Sequence, residues 1–311
     1  MNRRTFLSLS AASVLSLRTR PALSLCATER RVAITIDDPN TYEQPLFPWR
    51  ERAERILATL KENNLKVALF VCGKRVDSED GKSLIKIWDD AGHAICNHSY
   101  SHMYYNAPKL PFAVFSADFT KGDGIIKGYK NSTKLFRYPY LKEGDTSEKR
   151  DAMRSLLASS GYGNGYVTID ASDWAIDDRM RAKLKTDPKT DTTPYRDYLL
   201  AHILNRAEYY DGLSMDVLGR SIPHTVLLHH TLLNALYLGD LITEFRRKGW
   251  KAIDAPEAFQ DPVFQRKPQT VPAGESLLWA LAKESGRYDG KLRYPGEDDT
   301  YEKDAMDKAK L

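Results

Sequence analysis

The stretch Asn97-His98-Ser99-Tyr100-Ser101-His102 carries two histidines four apart beside a short apolar run. Two imidazoles at that spacing can face one metal ion, and a carboxylate from elsewhere completes a His2Asp set with positions left for water and substrate. Thr35-Ile36-Asp37-Asp38 offers that carboxylate and one to spare. The chemistry within reach is metal-assisted hydrolysis: a bound divalent cation polarises a carbonyl and lowers the pKa of its water from 15.7 to about 7 in the best zinc sites. When one of two adjacent carboxylates binds the cation, the other stays close enough to take that water's proton. The plainer reading is an exposed histidine pair and an ordinary strand-end aspartate.

These residues must be positioned by elements, and the sequence alternates strand and helix. Arg31 to Ile36 is a β-rich run stopped by Asp37-Asp38-Pro39-Asn40, so both aspartates fall at a strand's C-terminal mouth. Trp49 to Asn63 reads as a helix with Ala53, Ile56, Leu57 and Leu60 on one face, and Lys66 to Cys72 reads as the next strand. Strand, helix and strand with short links imply a parallel sheet. Ser83 to Ala91 and His93 to Asn97 repeat the unit, and His98 and His102 follow that strand's end. Phe112 to Tyr129 is of mixed helical character; Leu135 to Tyr140 is a short strand halted by proline. Ser147 to Ser160 is helical, and Tyr166 to Ile169 is a strand ending at Asp170-Ala171-Ser172-Asp173-Trp174. Arg179 to Thr192 reads as a polar surface excursion, Pro194 to Tyr210 as a helix with proline in its first turn, and His224 to Leu228 as a strand ending at His229-His230. Leu232 to Lys248 and Trp250 to Ile253 add a last helix and strand. Every polar cluster sits where a strand ends, which in a parallel barrel is one rim, the place such folds put their active sites.

At 311 residues, with 42% hydrophobic and 28% charged residues, the chain suits one large domain with tails. No stretch of ~18 apolar residues follows the N-terminus. Asn2-Arg3-Arg4-Thr5-Phe6-Leu7, the apolar segment Leu7 to Leu17 and the small or polar residues around Ala22 to Ala27 predict a twin-arginine signal peptide over 1–26, with export to the periplasm or beyond. An amphipathic or disordered N-terminus is the alternative. Leu25 is too large before Cys26 for a lipoprotein cleavage site, so lipid anchoring is not expected. That segment holds four of the 46 basic residues and no acid, which leaves 42 against 42. The formal charge of +4 is therefore no argument for nucleic-acid binding, and no basic cluster interleaved with aromatics revives one. Cys72 and Cys96 lie in apolar runs, where buried thiols are commoner than a disulfide. From Pro256 onward the alternation degrades, and 255–311 reads as an extension wrapping the domain, its tail partly disordered.

The ordered set Thr35-Ile36-Asp37-Asp38, His98-Ser99-Tyr100-Ser101-His102, Arg137-Tyr138-Pro139-Tyr140, Asp170-Ala171-Ser172-Asp173-Trp174 and Leu227-Leu228-His229 resembles the five motifs of the NodB-type polysaccharide deacetylases, carbohydrate esterase family four. The resemblance spans 31–254 and implies an α/β fold, a single distorted (β/α) barrel, with metal-dependent hydrolysis of an acetamido or related amide bond. It implies Asp38, His98 and His102 as metal ligands, Asp37 as general base held by Arg137, and Tyr140 as backbone donor to the oxyanion. It further implies His229 as the acid oriented by Asp173, and Trp174 as a groove wall. His230 beside His229 leaves the acid open between the two on sequence alone, with Leu-x-His favouring His229. Zinc is the default metal for these ligands; cobalt, nickel, manganese or iron also fit. Two departures stand out: Pro39-Asn40 follows the aspartate pair where the family has glycine, and Ile36 precedes it where the family has an aromatic.

The expected function is removal of acetyl groups from N-acetylated or O-acetylated sugars of a cell-wall or other polysaccharide. A related amidase acting on a small cyclic amide or imide is the first alternative, and a non-catalytic carbohydrate-binding protein the second. Tyr100, Tyr104 and Tyr105 could shape a sugar subsite or pack as ordinary loop residues. His93, His202 and His224 read as structural.

Overall fold

The computed structural model describes residues 29–296 and 300–311. The expected signal peptide, with Arg3, Arg4 and Cys26, lies outside the described residues. Within them the chain runs β1 (Arg30–Asp37), α1 (Trp49–Glu62), β2 (Ala68–Val71), α2 (Glu79–Asp90), β3 (Ala94–Asn97), α3 (Phe112–Ile126), β4 (Ser132–Phe136), β5 (Lys142–Gly144), α4 (Ser147–Ser159), β6 (Gly163–Asn164), α5 (Asp173–Thr186), α6 (Thr193–Leu218), β7 (Pro223–His229), α7 (Leu232–Arg247), β8 (Trp250–Ile253), α8 (Ala255–Ala258), β9 (Ala273–Gly274), α9 (Leu277–Ser285) and α10 (Thr300–Lys308). No helix among the described residues is long and apolar enough to cross a membrane.

β1 is the hub because Val32 to Asp37 are all buried, so it can carry neighbours on both edges. β7 pairs it in parallel from Arg31 to Asp37. β8 takes Arg30 to Ala33 and β2 takes Thr35 to Asp37, so those two share its other edge. From β2 the sheet continues through β3, β4 and β6, all parallel. The result is a parallel sheet curled into a half-barrel with helices outside, the (β/α) barrel expected from the motifs. The helices bury apolar faces against it: Ala53, Ile56 and Leu60 from α1; Leu84, Ile85 and Trp88 from α2; Leu238, Leu241, Ile242 and Phe245 from α7. Ser78 caps α2 by accepting from the Gly81 N–H, with Glu79 and Asp80 in the first turn.

The structure differs from the sequence reading in three places. Tyr166 to Ile169 is no regular strand; it meets β7 at the single bridge Ile169–Val226, because the hydroxyls of Thr168 and Thr225 take over backbone bonding there. The polar stretch from Arg179 is helical as far as Thr186, since Ala175, Ile176, Met180 and Leu184 bury one side of α5. The extension 255–311 is ordered where described. β9 pairs antiparallel with β5, α9 buries Leu277, Leu278 and Leu281, and α10 buries Met306 and Glu302, where partial disorder is the reading from sequence. Glu302 explains α10: it accepts from Arg206, Tyr198 and Tyr294, a pairing across about a hundred residues.

Candidate active site

The parallel strands deliver their C-terminal ends to one rim. β1 ends at Asp37, and Asp38 turns out of it with φ +59° while its N–H still bonds the Phe70 carbonyl. Side chains alternate faces along a strand, so consecutive aspartates would normally diverge. The left-handed residue breaks the alternation and lets both carboxylates reach the same mouth. β3 ends at Asn97, whose side chain accepts from the Ser99 N–H and donates to the Phe119 carbonyl. The next turn is held by Asp118, which accepts from the N–H groups of Tyr100 and Ser101, and by Ser99 Oγ, which accepts from the His102 N–H. Ser99, His102 and Tyr140 also have positive φ. Such strain persists only where surrounding bonds over-determine it, and it gathers at functional sites.

Asp38, His98 and His102 each present a ligand atom, all within 4.8 Å of one another. The buried His98 ring donates Nδ1–H to the Arg137 carbonyl at 2.8 Å, which leaves Nε2 as a lone-pair donor toward the site. Burial and the neighbouring His102 push His98 down to about 3, so it is neutral. Burial also lowers His102. Burial pushes Asp38 up, yet His102 and Arg75 outweigh it, and its carboxyl lies below the ordinary range. Two neutral imidazoles and an ionised carboxylate are a donor set that suits a divalent cation.

Asp37 is equally buried but differently held. Arg137 Nη1 donates to its Oδ1 at 2.5 Å and to Thr35 Oγ1 at 2.9 Å, Nε donates to the Gly165 carbonyl, and the guanidinium lies over the Phe70 ring. Burial still dominates, and Asp37 is pushed up to about 6. Its Oδ2 is 3.6 Å from His98 Nε2. From the far side of β1, His229 donates Nδ1–H to Asp173 Oδ1 at 2.8 Å, while Asp173 Oδ2 accepts from the His229 N–H and from Asn234. His230 turns its ring edge-on to Trp88; it is buried, neither ring nitrogen has a partner, and burial with Arg52 nearby pushes it down to about 3. Of the adjacent histidines, only His229 is thus bonded to the carboxylate.

A cavity of about 310 Å³ opens over these groups, lined among others by Asp38, His102, Tyr140, Trp174 and His229. The Tyr140 ring packs edge-on to His102 at 4.6 Å, and Trp174 opens α5 directly after Asp173. Asp37, Asp38, His98, His102, Arg137, Tyr140, Asp173, Trp174 and His229 therefore come together around this one mouth. Asp170 is structural, accepting from the Gly296 N–H, and Tyr105 is core. His93 and His224 are buried and His202 is partly buried, and they bond Val67 N–H, Thr168 and Ser172 N–H respectively. Cys72 and Cys96 are free buried thiols.

Sequence reasoning missed Arg75, whose Nε is 3.2 Å from Asp38 Oδ1, and Arg52, which is wholly buried and bonds the loop after the aspartate pair. Arg75 was findable, because it follows the end of β2 on the same rim. Arg52 sits inside a helix and gave no such signal.

Comparison with known proteins agrees with the motifs. A sequence profile for the family described as Polysaccharide deacetylase matches residues 24–159. The chain is 24% identical over 238 residues to a peptidoglycan-N-acetylglucosamine deacetylase of Bacillus cereus, covering 74% of this chain and 68% of that one. It is 25% identical over 258 residues to a probable peptidoglycan-N-acetylglucosamine deacetylase of Arthroderma benhamiae, covering 81% of this chain and 49% of that one. Among solved structures, a mutant of a Bacillus anthracis family 4 carbohydrate esterase pseudoenzyme with restored enzymatic activity superposes with TM-score 0.50 at 22% identity, covering 74% of this chain and 68% of that one. A polysaccharide deacetylase from Bacillus cereus gives TM-score 0.50 at 20% identity, covering 72% and 91%. Residues 24–159 match the polysaccharide deacetylase family, and the five motifs that resemble the NodB-type deacetylases of carbohydrate esterase family four stand in order on one rim of this half-barrel.

Proposed function

We propose that this chain is an exported, metal-dependent deacetylase that removes acetyl groups from N-acetylated sugars of a polysaccharide such as peptidoglycan. The observation that carries it is the convergence of the Asp38, His98 and His102 donors with two separately held proton-transfer groups, Asp37 on Arg137 and His229 on Asp173. Asp38, His98 and His102 would hold a divalent cation, zinc by default, which would polarise the amide carbonyl and lower the pKa of water beside it. Asp37 takes the proton of the attacking water, and its raised pKa suits a base working near neutrality. Arg137 fixes the direction of that carboxylate. The motif assigns the Tyr140 backbone N–H to the developing oxyanion. As the carbon–nitrogen bond breaks, His229 gives a proton to the leaving amine, and Asp173 holds its Nδ1–H and stabilises the imidazolium. The products are acetate and a free amino sugar, so atoms and charge balance.

The test is acetate release from peptidoglycan, chitin oligomers and acetylated xylan, before and after chelation, with zinc or cobalt added back. Metal-dependent acetate from one of them is the expected result. No acetate from any, with metal still bound, overturns the reading in favour of a non-acetyl amide. Export follows from Arg3-Arg4 and the apolar segment behind them; undiminished periplasmic protein in an Arg3→Lys/Arg4→Lys variant would reject it.

A further inference from the structure

Arg75 is a charged residue against the donor set that the motifs leave without a role. Its Nε lies 3.2 Å from Asp38 Oδ1, while Asp38 Oδ2 lies 3.5 Å from His102 Nε2. The two oxygens of one carboxylate are thus divided: one faces a histidine of the donor set, the other a cation. Oδ1 accepts no hydrogen bond from any described residue, so Arg75 acts on it by charge rather than by a directed bond. A guanidinium keeps its proton in proteins, which makes that charge permanent.

The turn that carries Arg75 is fastened to the turn that carries the histidines. β2 ends at Val71, and a single helical turn, Gly73–Arg75, follows it. Gly73 donates its N–H to the Ser99 carbonyl at 3.0 Å, and Lys74 donates its own to the Tyr100 carbonyl at 2.8 Å. A Cβ at position 73 would lie 2.7 Å from the Tyr100 ring, so glycine is what lets the two turns approach. The Arg75 N–H closes its turn on the Cys72 carbonyl. From this fixed base the half-buried guanidinium reaches the wall of the cavity.

Formal charges at the mouth cancel. Asp37 is matched by Arg137 at 2.5 Å and Asp38 by Arg75, while burial holds His98 and His102 below the ordinary histidine range, so both rings are neutral. A divalent cation on Asp38, His98 and His102 would therefore meet no net negative charge, and a fixed positive one would stand beside its carboxylate ligand. A ligand whose charge is drawn off by a neighbour binds a cation less tightly and leaves it more electron-poor. We propose that Arg75, acting through Asp38 and not on substrate, loosens the hold of this donor set on a divalent cation and thereby keeps that cation a stronger Lewis acid. The inference rests on the metal-dependent reading and deepens it.

The experiment measures the zinc dissociation constant by competition with a chelating dye, and kcat for acetate release from a five-sugar oligomer of N-acetylglucosamine at saturating zinc. The proteins are the unaltered chain, Arg75→Gln and Arg75→Lys. Glutamine removes the charge and keeps a polar side chain; lysine keeps the charge. Arg75→Gln is expected to bind zinc about tenfold more tightly and to turn over about tenfold more slowly, with Arg75→Lys within about threefold of the unaltered chain in both. Opposite movement of affinity and turnover is the signature, since loss of a merely structural residue lowers the two together. Zinc held equally or more weakly by Arg75→Gln overturns the proposal, and so does an unchanged kcat. No acetate from any of the three proteins counts against the deacetylase reading instead, and the dissociation constants then decide the role of Arg75 alone. Zinc bound by neither the unaltered chain nor Arg75→Gln rejects the metal reading and this inference with it.

Discussion

Asp37 and Asp38 are neighbours in sequence with opposite electrostatic fates. Burial lifts Asp37 to about 6 despite Arg137, whereas His102 and Arg75 hold Asp38 low. The one suits a proton acceptor and the other a permanent anion. Asp37→Asn is therefore expected to keep bound metal while kcat falls by about 10²–10⁴; metal analysis beside acetate release checks it, and normal turnover removes Asp37 from the role of base. A second residue-scale expectation concerns His93, away from the site. Its Nδ1 accepts from the Val67 N–H, and burial, with Lys66 nearby, pushes it down to about 4. Since the folded pKa lies below the unfolded value, the unfolded chain takes up the proton first. The contribution of His93 is full above about pH 6.5 and is lost as pH falls toward 4, a change on the order of 2–3 kcal/mol. Chemical unfolding of the unaltered chain and His93→Gln across that window should show their stability difference shifting toward the variant at low pH; a difference independent of pH contradicts it.

At the scale of elements, the C-terminal extension braces the loop that leads into Asp173. Gly296 donates its N–H to Asp170 and accepts from Ser172 Oγ, and a Cβ there would lie 2.6 Å from Asp170 Oδ1. His202 accepts the Ser172 N–H and faces Glu302 of α10 at 3.6 Å, and Glu302 pairs with the buried Arg206 at 2.9 Å. Asp173, which orients His229, follows immediately. Glu302→Ala leaves Arg206 buried without its anion and is expected to cost about 3–5 kcal/mol, with a matching fall in melting temperature; an unchanged melting temperature contradicts the brace. None of this was legible in sequence, because a charged helix near the end of a chain looks solvated until its distant partner is known. The strand ends were legible, since apolar β-rich runs stop at polar clusters whatever the tertiary context. α5 was half-hidden because charged residues interrupt its buried spacing, and α6 runs on past Tyr210, through Gly212, to Gly219, whose φ of +72° suits the cap.

For the whole molecule, one all-parallel half-barrel explains why residues as distant as Asp38, His98 and His229 meet: every strand delivers its end to one rim. The family and the fold follow from that rim together with the motifs, while the substrate and the metal dependence are the proposed steps. The most direct test is metal content per chain after dialysis, with acetate release in the same samples, for the unaltered protein and His98→Ala. One equivalent of divalent metal, lost together with acetate release in His98→Ala, is the predicted result. Metal content unchanged in His98→Ala, or full acetate release from metal-free protein, would contradict the account.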